Sequence, residues 1–554
     1  MIVSIDIREK SFGDKSLYND LKFEIQEGEK VALIGRNGTG KSTLLNMITG
    51  DDRDYQGFID LKRGITLIAS RQEHHGYEDT SVLAYIQGDL PEYAELEHII
   101  TSYPEHMSSS TKKLQDYSDA LERFNQLGYF QIEDEISQAF EDYQLDPKKL
   151  HGPLSDLSGG QKRMVELIKV QRARGHLALI DEPTNHMDYV AKQSFIKWLL
   201  AAKEAVLVIT HDRDVLQTVD RIIEIRDGRA FPFKGNYSQY LKINTNQITA
   251  QVNEYDLIQR RISNLQNDLI RFRRLKEKAR DPGTIKRFKS QEQKVASELT
   301  KLSHSEKPSF WIDRASSEEL TPKLSNAYES YKAKNIQLDT RSNDQLPAAR
   351  LLLEVSGLSL GYAATPLFSD INFSLREGER IRLHGRNGAG KTTLIQAVLA
   401  KANKQKAAAK QFSGHIAVEP GLPIGFYEQE IAEQYLAMTL ATAIERSLAE
   451  KDVATSEQSV KRLLSDYLFN PATDGDTPIA RLSGGQKARF QLIRMLIGKP
   501  LLLILDEPTN HLDLPSIEEL EDALAAYTGA VMYISHDSVF AKNVGGTTIN
   551  IGAY

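Results

Sequence analysis

Gly35-Arg36-Asn37-Gly38-Thr39-Gly40-Lys41-Ser42 carries the spacing G-x-x-x-x-G-K-[ST]. It follows Val31-Ala32-Leu33-Ile34, a short apolar run of the kind that forms a buried parallel strand. Glycines at these positions let backbone N–H groups approach phosphate oxygens at a helix N-terminus, where the helix dipole favours anions. The stretch recurs as Gly385-Arg386-Asn387-Gly388-Ala389-Gly390-Lys391-Thr392. Each copy is followed by Leu-Ser-Gly-Gly-Gln (from Leu157 and Leu482), an Asp-Glu pair (Asp181-Glu182 and Asp506-Glu507) and a histidine (His211 and His536). Ser158 to Ser483, Asp181 to Asp506 and His211 to His536 are each 325 positions apart, and Lys41 to Lys391 is 350. One α/β nucleotide-binding domain therefore occurs twice. The first copy is 25 residues longer between its loop and its Leu-Ser-Gly-Gly-Gln.

The chain has 554 residues, 40% of them hydrophobic and 26% charged, which suits a soluble protein of two to four domains. No run approaches the roughly 18 to 20 apolar residues of a membrane span. Met1-Ile2-Val3-Ser4-Ile5-Asp6 reads as an edge strand and not as a signal peptide. The chain has no cysteine, which excludes disulfides, thiolate zinc sites and iron–sulfur clusters and fits a cytoplasmic protein. Net charge is −7, yet residues 259–307 hold 14 basic and 6 acidic residues. A basic segment within an acidic chain points to an acidic partner for that segment.

The predicted domains are 1–241, a linker 242–349, and 350–554. The extra length of the first copy, about 90–127, reads as two helices, one with Leu96, Ile99 and Ile100 on a face and one with Leu114, Leu121 and Phe124; Ser108-Ser109-Ser110 would turn between them. In the linker, Ile248, Val252, Tyr255, Ile258, Ile262, Leu265, Leu269 and Phe272 step by threes and fours. So do Ile285, Phe288, Glu292, Val295, Leu299 and Leu302. Both are heptad seams, broken at Asp281-Pro282-Gly283, and predict an antiparallel hairpin with its tip near 276–287. A first helix from Ile243 to Lys278 would reach on the order of 50 Å. A further helix is predicted around Leu324 to Lys334.

The chemistry assigns roles. Lys41 and Lys391 would reach the β- and γ-phosphates of ATP, with Gly35, Asn37, Gly38, Gly40, Thr43 and Gly385, Asn387, Gly388, Gly390, Thr393 around them. Ser42, Asp181 and Gln72, with Thr392, Asp506 and Gln429, are the candidate Mg²⁺ ligands or holders of its water. Glu182 and Glu507 are the candidate bases for the attacking water, and His211 and His536 candidate γ-phosphate contacts. Phe12 and Tyr362 would stack on adenine or serve as core aromatics. Residues 271–294 hold 10 basic and 3 acidic side chains. Arg273, Arg274, Lys276, Lys278, Arg280, Lys286, Arg287 and Lys289 are the candidate contacts to an acidic partner, and the family resemblance given below makes them the candidate RNA contacts, through phosphates and without sequence readout. Phe288 would stack on a base or close the seam, the seam being favoured.

Leu-Ser-Gly-Gly-Gln resembles the signature of ATP-binding cassette ATPases, over nearly all of both copies. The resemblance implies that each signature completes the opposite site: Ser158, Gly159, Gly160 and Gln161 for Lys391, and Ser483, Gly484, Gly485 and Gln486 for Lys41. The whole chain resembles the ABC-F family, on Asp181-Glu182-Pro183-Thr184-Asn185-His186 with its repeat from Asp506, on Lys234-Gly235-Asn236-Tyr237-Ser238-Gln239-Tyr240 before the linker, and on the basic hairpin. That implies a cytoplasmic ATPase, monomeric with its cassettes paired within the chain and without a membrane domain. Its partner would be the ribosome at the E site: rRNA first, tRNA as a further candidate. The short insertion, Lys307-Pro308-Ser309-Phe310-Trp311-Ile312-Asp313 and Tyr331-Lys332-Ala333-Lys334-Asn335-Ile336 resemble the antibiotic-resistance members. The alternatives are a housekeeping translation factor of the same family and the fused ATPase subunit of a membrane importer, in which the basic run would be a solvated face.

Overall fold

The computed structural model describes residues 1–303 and 350–552 apart from 13–14, 72–73, 75, 104–110, 186, 279, 363–364, 429–430 and 511, and gives the backbone alone at 12, 15, 111, 245 and 247–256. It divides into two compact units, one holding both nucleotide-binding domains and one that starts at Ser238 and holds the hairpin.

In the first domain, β1 (Val3–Phe12), β2 (Lys15–Ile25) and β4 (Gln56–Leu61) form an antiparallel sheet, and β3 (Lys30–Gly35) belongs to a second sheet. The second sheet has the order β5-β6-β7-β3-β8-β9, with β5 (Leu67–Ala69), β6 (Leu177–Asp181), β7 (Ala205–Ile209), β8 (Arg221–Arg226) and β9 (Arg229–Lys234). Its strands are parallel except β9, which returns from β8 through Asp227-Gly228. Both turn residues take positive φ, 50° and 74°, as a two-residue hairpin turn requires. β6 and β7 are buried at every position, as uninterrupted apolar runs predict. The expected edge strand at the N-terminus is corrected: β1 is the middle strand, with Val3 opposite both Ile25 and Leu61. Val3, Ile5 and Ile7 alternate inward onto Leu44, Leu45 and Ile48 of the helix Lys41–Thr49, which starts where β3 and its glycine loop end.

The second domain repeats this plan. β10 (Leu351–Gly361), β11 (Phe368–Arg376) and β13 (Lys410–Val418) form the antiparallel sheet. β12 (Arg380–His384), β14 (Ile424–Tyr427), β15 (Leu502–Asp506), β16 (Ala530–Ile534) and β17 (Thr547–Asn550) form a sheet of order β14-β15-β16-β12-β17. In both domains the strands that carry the loop, the Asp-Glu pair and the histidine are parallel neighbours in the middle of the sheet, so the motifs emerge together at the C-terminal ends of those strands.

The insertion forms the helices Tyr93–Ser102 and Thr111–Gln126. Phe124, Tyr93 and Tyr129 meet with ring centroids 5.3 to 5.5 Å apart. Phe124 is buried as expected, with Ala120 one helical turn before it, whereas Leu114, expected on the same face, is 57% exposed. Residues 108–110 lie outside the described residues.

The hairpin is formed by the helix Tyr237–Lys278, 42 residues and roughly 60 Å long, and the helix Pro282–Ser303. The first helix begins six residues before the expected Ile243. Asp281 starts the second, accepting from the Thr284 N–H at 2.7 Å and its hydroxyl at 2.8 Å. Antiparallel pairing is fixed by Phe272 against Phe288 (centroids 6.5 Å) and by Arg261 on Glu298 at 2.8 Å. Phe288 thus closes the seam. The helix expected at 324–334 lies outside the described residues.

Candidate nucleotide sites between the two cassettes

Each phosphate-binding loop is a ring of inward-facing backbone. Gly40 adopts φ 93°, and a Cβ there would strike Leu17 and the Tyr18 hydroxyl, which donates to the Gly40 carbonyl at 2.5 Å. Lys41 lies inside its own loop, donating to the carbonyls of Gly35 at 2.7 Å and Arg36 at 3.2 Å. Lys391 does the same with Gly385 (2.7 Å) and Arg386 (2.9 Å). Burial lowers the pKa of both lysines.

A cavity of about 600 Å³ opens on the first loop. Asn37, Gly38, Gly40, Lys41, Ser42, Thr43, Asp181, Glu182 and His211 line it from the first domain. Ser483, Gly484 and Gly485 line it from the second. Gly159 and Arg163 of the first signature helix also border it. Ser483 is the N-cap of the helix Gly484–Leu496, and Gln486 closes a capping box with it, as Gln161 does with Ser158. Both glutamines therefore spend their side chains on their own helix ends. The reciprocal loop is met by Asp188, whose carboxylate accepts the Asn387 N–H at 3.1 Å; Asp513 accepts the Asn37 N–H at 3.0 Å. These two aspartates were absent from the sequence-based site. Their recurrence 325 positions apart was the available signal.

The strand ends carry the remaining groups. Thr392 donates to Asp506 at 2.8 Å, pairing the two side chains expected at Mg²⁺; Ser42 and Asp181 line one cavity in the first domain. Among the described residues no cluster of three or more acidic or histidine side chains could hold a metal unaided. A hydroxyl, one carboxylate and phosphate oxygens suit Mg²⁺, which keeps several waters. Gln72 and Gln429 lie outside the described residues. Glu182 and Glu507 both adopt left-handed φ, 47° and 50°, a strained conformation for glutamate that recurs at functional sites. Burial, then the adjacent Asp181, pushes Glu182 up to about 8. Burial pushes Glu507 up to about 7 against the pull of Lys391. His211 and His536 face these glutamates at 3.6 and 3.2 Å. Burial and the loop lysines hold both imidazoles neutral, His211 at about 3. Among the described residues no ring nitrogen of either has a hydrogen-bond partner, nor has Glu507 Oε1. Buried polar atoms without partners at a phosphate loop fit an incoming polyphosphate with its metal.

Tyr362 follows β10 with its ring 58% exposed and its hydroxyl 3.4 Å from Thr393 Oγ1, so it is not a core aromatic. Phe12 ends β1, and its side chain lies outside the described residues. In the hairpin, Arg274, Lys278, Arg280, Lys286, Arg287 and Lys289 are exposed. Arg273 is exposed too, but it and the half-buried Lys276 pair with Glu292, the acidic residue in the seam.

A two-sheet cassette with a phosphate loop, a capped signature helix from a second cassette and a strained, buried glutamate at the strand end defines an ATP-hydrolysing ATP-binding cassette pair. The ABC transporter family matches at residues 18–185 and 368–510, and a second ABC transporter family match covers 223–316. The chain belongs to the ABC transporter family, in its tandem-cassette ABC-F group, and is an ATPase. The probable ATP-binding protein YheS of Escherichia coli (strain K12) is 30% identical over 95% of this chain and 75% of its own length. Ribosome protection protein VmlR of Bacillus subtilis (strain 168) is 27% identical over 96% and 83%. The energy-dependent translational throttle protein EttA of Mycobacterium tuberculosis (strain H37Rv) is 28% identical over 96% and 88%. Among solved structures, an RNase-L inhibitor aligns with a TM-score of 0.54 at 17% identity, covering 96% of this chain and 85% of its own, a likeness of fold alone. No helix among the described residues is long and apolar enough to cross a membrane.

Proposed function

We propose that the paired cassettes are an ATP-driven clamp and that the basic hairpin is its ribosome-binding element, acting at the E site and protecting the ribosome from an antibiotic. The observation that carries the clamp is the shared cavity in which Lys41 faces Ser483 and Gly485 from the other cassette. The domain limits 1–241, 242–349 and 350–554 divide the chain into clamp, lever and clamp. By the repeat symmetry, Ser158 and Gly160 serve the Lys391 site as Ser483 and Gly485 serve the Lys41 site.

In each site the loop N–H groups and lysine bind the phosphates, and the signature serine and glycines close over the γ-phosphate. Ser42 with Asp181, and Thr392 with Asp506, would hold Mg²⁺, which when bound neutralises charge on the β- and γ-oxygens; Gln72 and Gln429 belong to the same set. Glu182 and Glu507 orient the attacking water and accept its proton, and His211 and His536 donate to the γ-phosphate. Tyr362, and Phe12 in the first cassette, stack on adenine. Binding of ATP by both halves shuts the clamp, which fixes the hairpin for the ribosome; hydrolysis releases it.

The ribosome enters through the relatives, a ribosome protection protein and a translational throttle, both similar over 96% of this chain. The exposed basic side chains of the hairpin supply the electrostatics that rRNA phosphates need. The similarity to the throttle supports a second reading, a housekeeping translation factor working in the cytoplasm through the same clamp. Co-sedimentation of the Glu182→Gln, Glu507→Gln double variant with ribosomes and with lipid vesicles, plus ATP, tests the proposal. Retention on ribosomes alone supports it, and retention on vesicles alone overturns it. Drug susceptibility of cells expressing the parent chain then separates protection from housekeeping.

A further inference from the structure

The two cassettes repeat each other, but not all the side chains that join them do. Lys192 lies on the helix Tyr189–Ala201, which Asp188 caps in the first cassette. Its ammonium donates to the backbone carbonyl of His536 in the second cassette at 2.8 Å, and is held by Asp214 at 2.7 Å and Asp212 at 3.2 Å. Asp214 is itself tied across the interface by the Ser538 hydroxyl at 2.7 Å. Lys192 is 4% exposed. Asp188, one helical turn before it, reaches the Asn387 N–H of the same site. Two groups from the first cassette thus reach the Lys391 site, one at its phosphate loop and one at its histidine.

At the symmetric position, 325 residues on, stands Ile517. Lys192 and Ile517 line one small cavity with both glutamates and both histidines. Asp513 reaches the Asn37 loop as Asp188 reaches the Asn387 loop, but an isoleucine side chain has no N–H to give the His211 carbonyl. Instead the His211 segment is anchored two residues later, by Arg213 on Glu521 at 2.8 Å. That ion pair also has no twin, since Ser538 and Ile196 stand at the equivalent positions. One histidine loop is therefore gripped at the histidine itself, by a cation from the opposite cassette. The other is gripped beside it.

We propose that Lys192 is a positioning residue whose contact across the interface serves the Lys391 site, so that His536 and Glu507 are set for hydrolysis only when the cassettes are joined, and that Ile517 gives the Lys41 site no such contact from the second cassette. Lys192 touches no reacting atom. It fixes the carbonyl of His536, and with it the imidazole opposite Glu507. The inference rests on the assignment of Glu182 and Glu507 as the two bases.

The test is Lys192→Ile, which copies the other half of the repeat, made in two single-site backgrounds. With Glu182→Gln only the Lys391 site keeps its base, and kcat should fall about tenfold with KM for ATP nearly unchanged. With Glu507→Gln only the Lys41 site keeps its base, and kcat should stay within about twofold. Lys192→Arg, which keeps charge and donors, should restore most of the first loss. The second background also reports on folding, because a chain that has lost its structure fails in both. Equal losses in the two backgrounds, or no loss in either, overturns the proposal. Single-turnover hydrolysis by the chain with both glutamates intact provides an independent measurement. Lys192→Ile should slow one of two phases, and a single phase in the parent overturns the inference. If the two glutamate variants turn over like the parent, the assignment of the bases has failed, whereas the single-turnover phases still decide on Lys192.

Discussion

Gly485 of the second signature faces Asn37 of the first phosphate loop so closely that a Cβ at 485 would overlap the Asn37 side-chain amide and come within 2.9 Å of its Cβ. The glycine is required for space between two cassettes. Its backbone is helical, at the start of the helix that Ser483 caps. Gly485→Ala should therefore leave each cassette folded and prevent the approach of the two halves of the Lys41 site. ATPase activity should drop about tenfold or more, with the melting temperature little changed. Steady-state phosphate release and thermal unfolding on the same preparation check it.

Asp188 and Asp513 each hold a helix N-terminus and a loop N–H of the opposite cassette. Replacing either by alanine should cost the cap, about 1 kcal/mol of stability. It should also weaken ATP binding at the loop it touches. Asparagine keeps the cap and weakens the hydrogen bond to the loop, so the stability loss should shrink while the binding loss remains. Chemical denaturation and nucleotide titration separate the two effects.

The buried glutamates make stability depend on pH. A carboxyl with a folded pKa of about 8, against 4.5 when free, holds its proton more tightly in the native state. Its contribution is whole below pH 4.5 and is lost as pH rises through about 8; for Glu507 the window closes at about 7. Nucleotide-free protein in EDTA should lose melting temperature across this window. The Glu182→Gln, Glu507→Gln variant should lose less, because its amides do not titrate. Hydrolysis runs the other way: the base must be ionised, so kcat/KM for ATP should climb through the same range.

Glu292 withholds two of the hairpin's cations, Arg273 and Lys276. Glu292→Gln should release both and tighten ribosome binding. Replacing Arg274, Arg280, Lys286 and Arg287 by glutamate should abolish it with ATPase activity retained. Co-sedimentation at several salt concentrations checks both, since the salt slope changes by about one for each rRNA phosphate that a side chain neutralises.

Thr392 and Asp506 are already bonded at 2.8 Å. Thr392→Val keeps the shape and removes the hydroxyl, so the Mg²⁺ concentration for half-maximal turnover should rise while ATP binding in EDTA is unaffected. A magnesium titration of ATPase activity, with nucleotide binding measured in parallel, is the check.

Local pattern alone identified the paired domains, because a phosphate loop, a capping box and an apolar strand are each written in a few adjacent residues, and here each is written twice. The seam of the hairpin was legible for the same reason: side chains three and four apart share a helix face, and Phe272 meets Phe288 as that spacing requires. What the sequence could not decide was which residues meet across distance. β1 is a central strand because β4, some 50 residues later, pairs with its second edge. Leu114 is exposed while Phe124 is buried because Tyr93 and Tyr129 pack on Phe124, at the other end of the helix. Asp188 at Asn387, Arg213 at Glu521 and Lys192 at the His536 carbonyl join residues about 200 to 340 positions apart. Such pairings arise from the docking of two finished surfaces. The repeat in the sequence sets Lys192 beside Ile517 as equivalent positions; only the packing reveals that the lysine grips the His536 carbonyl of the other cassette.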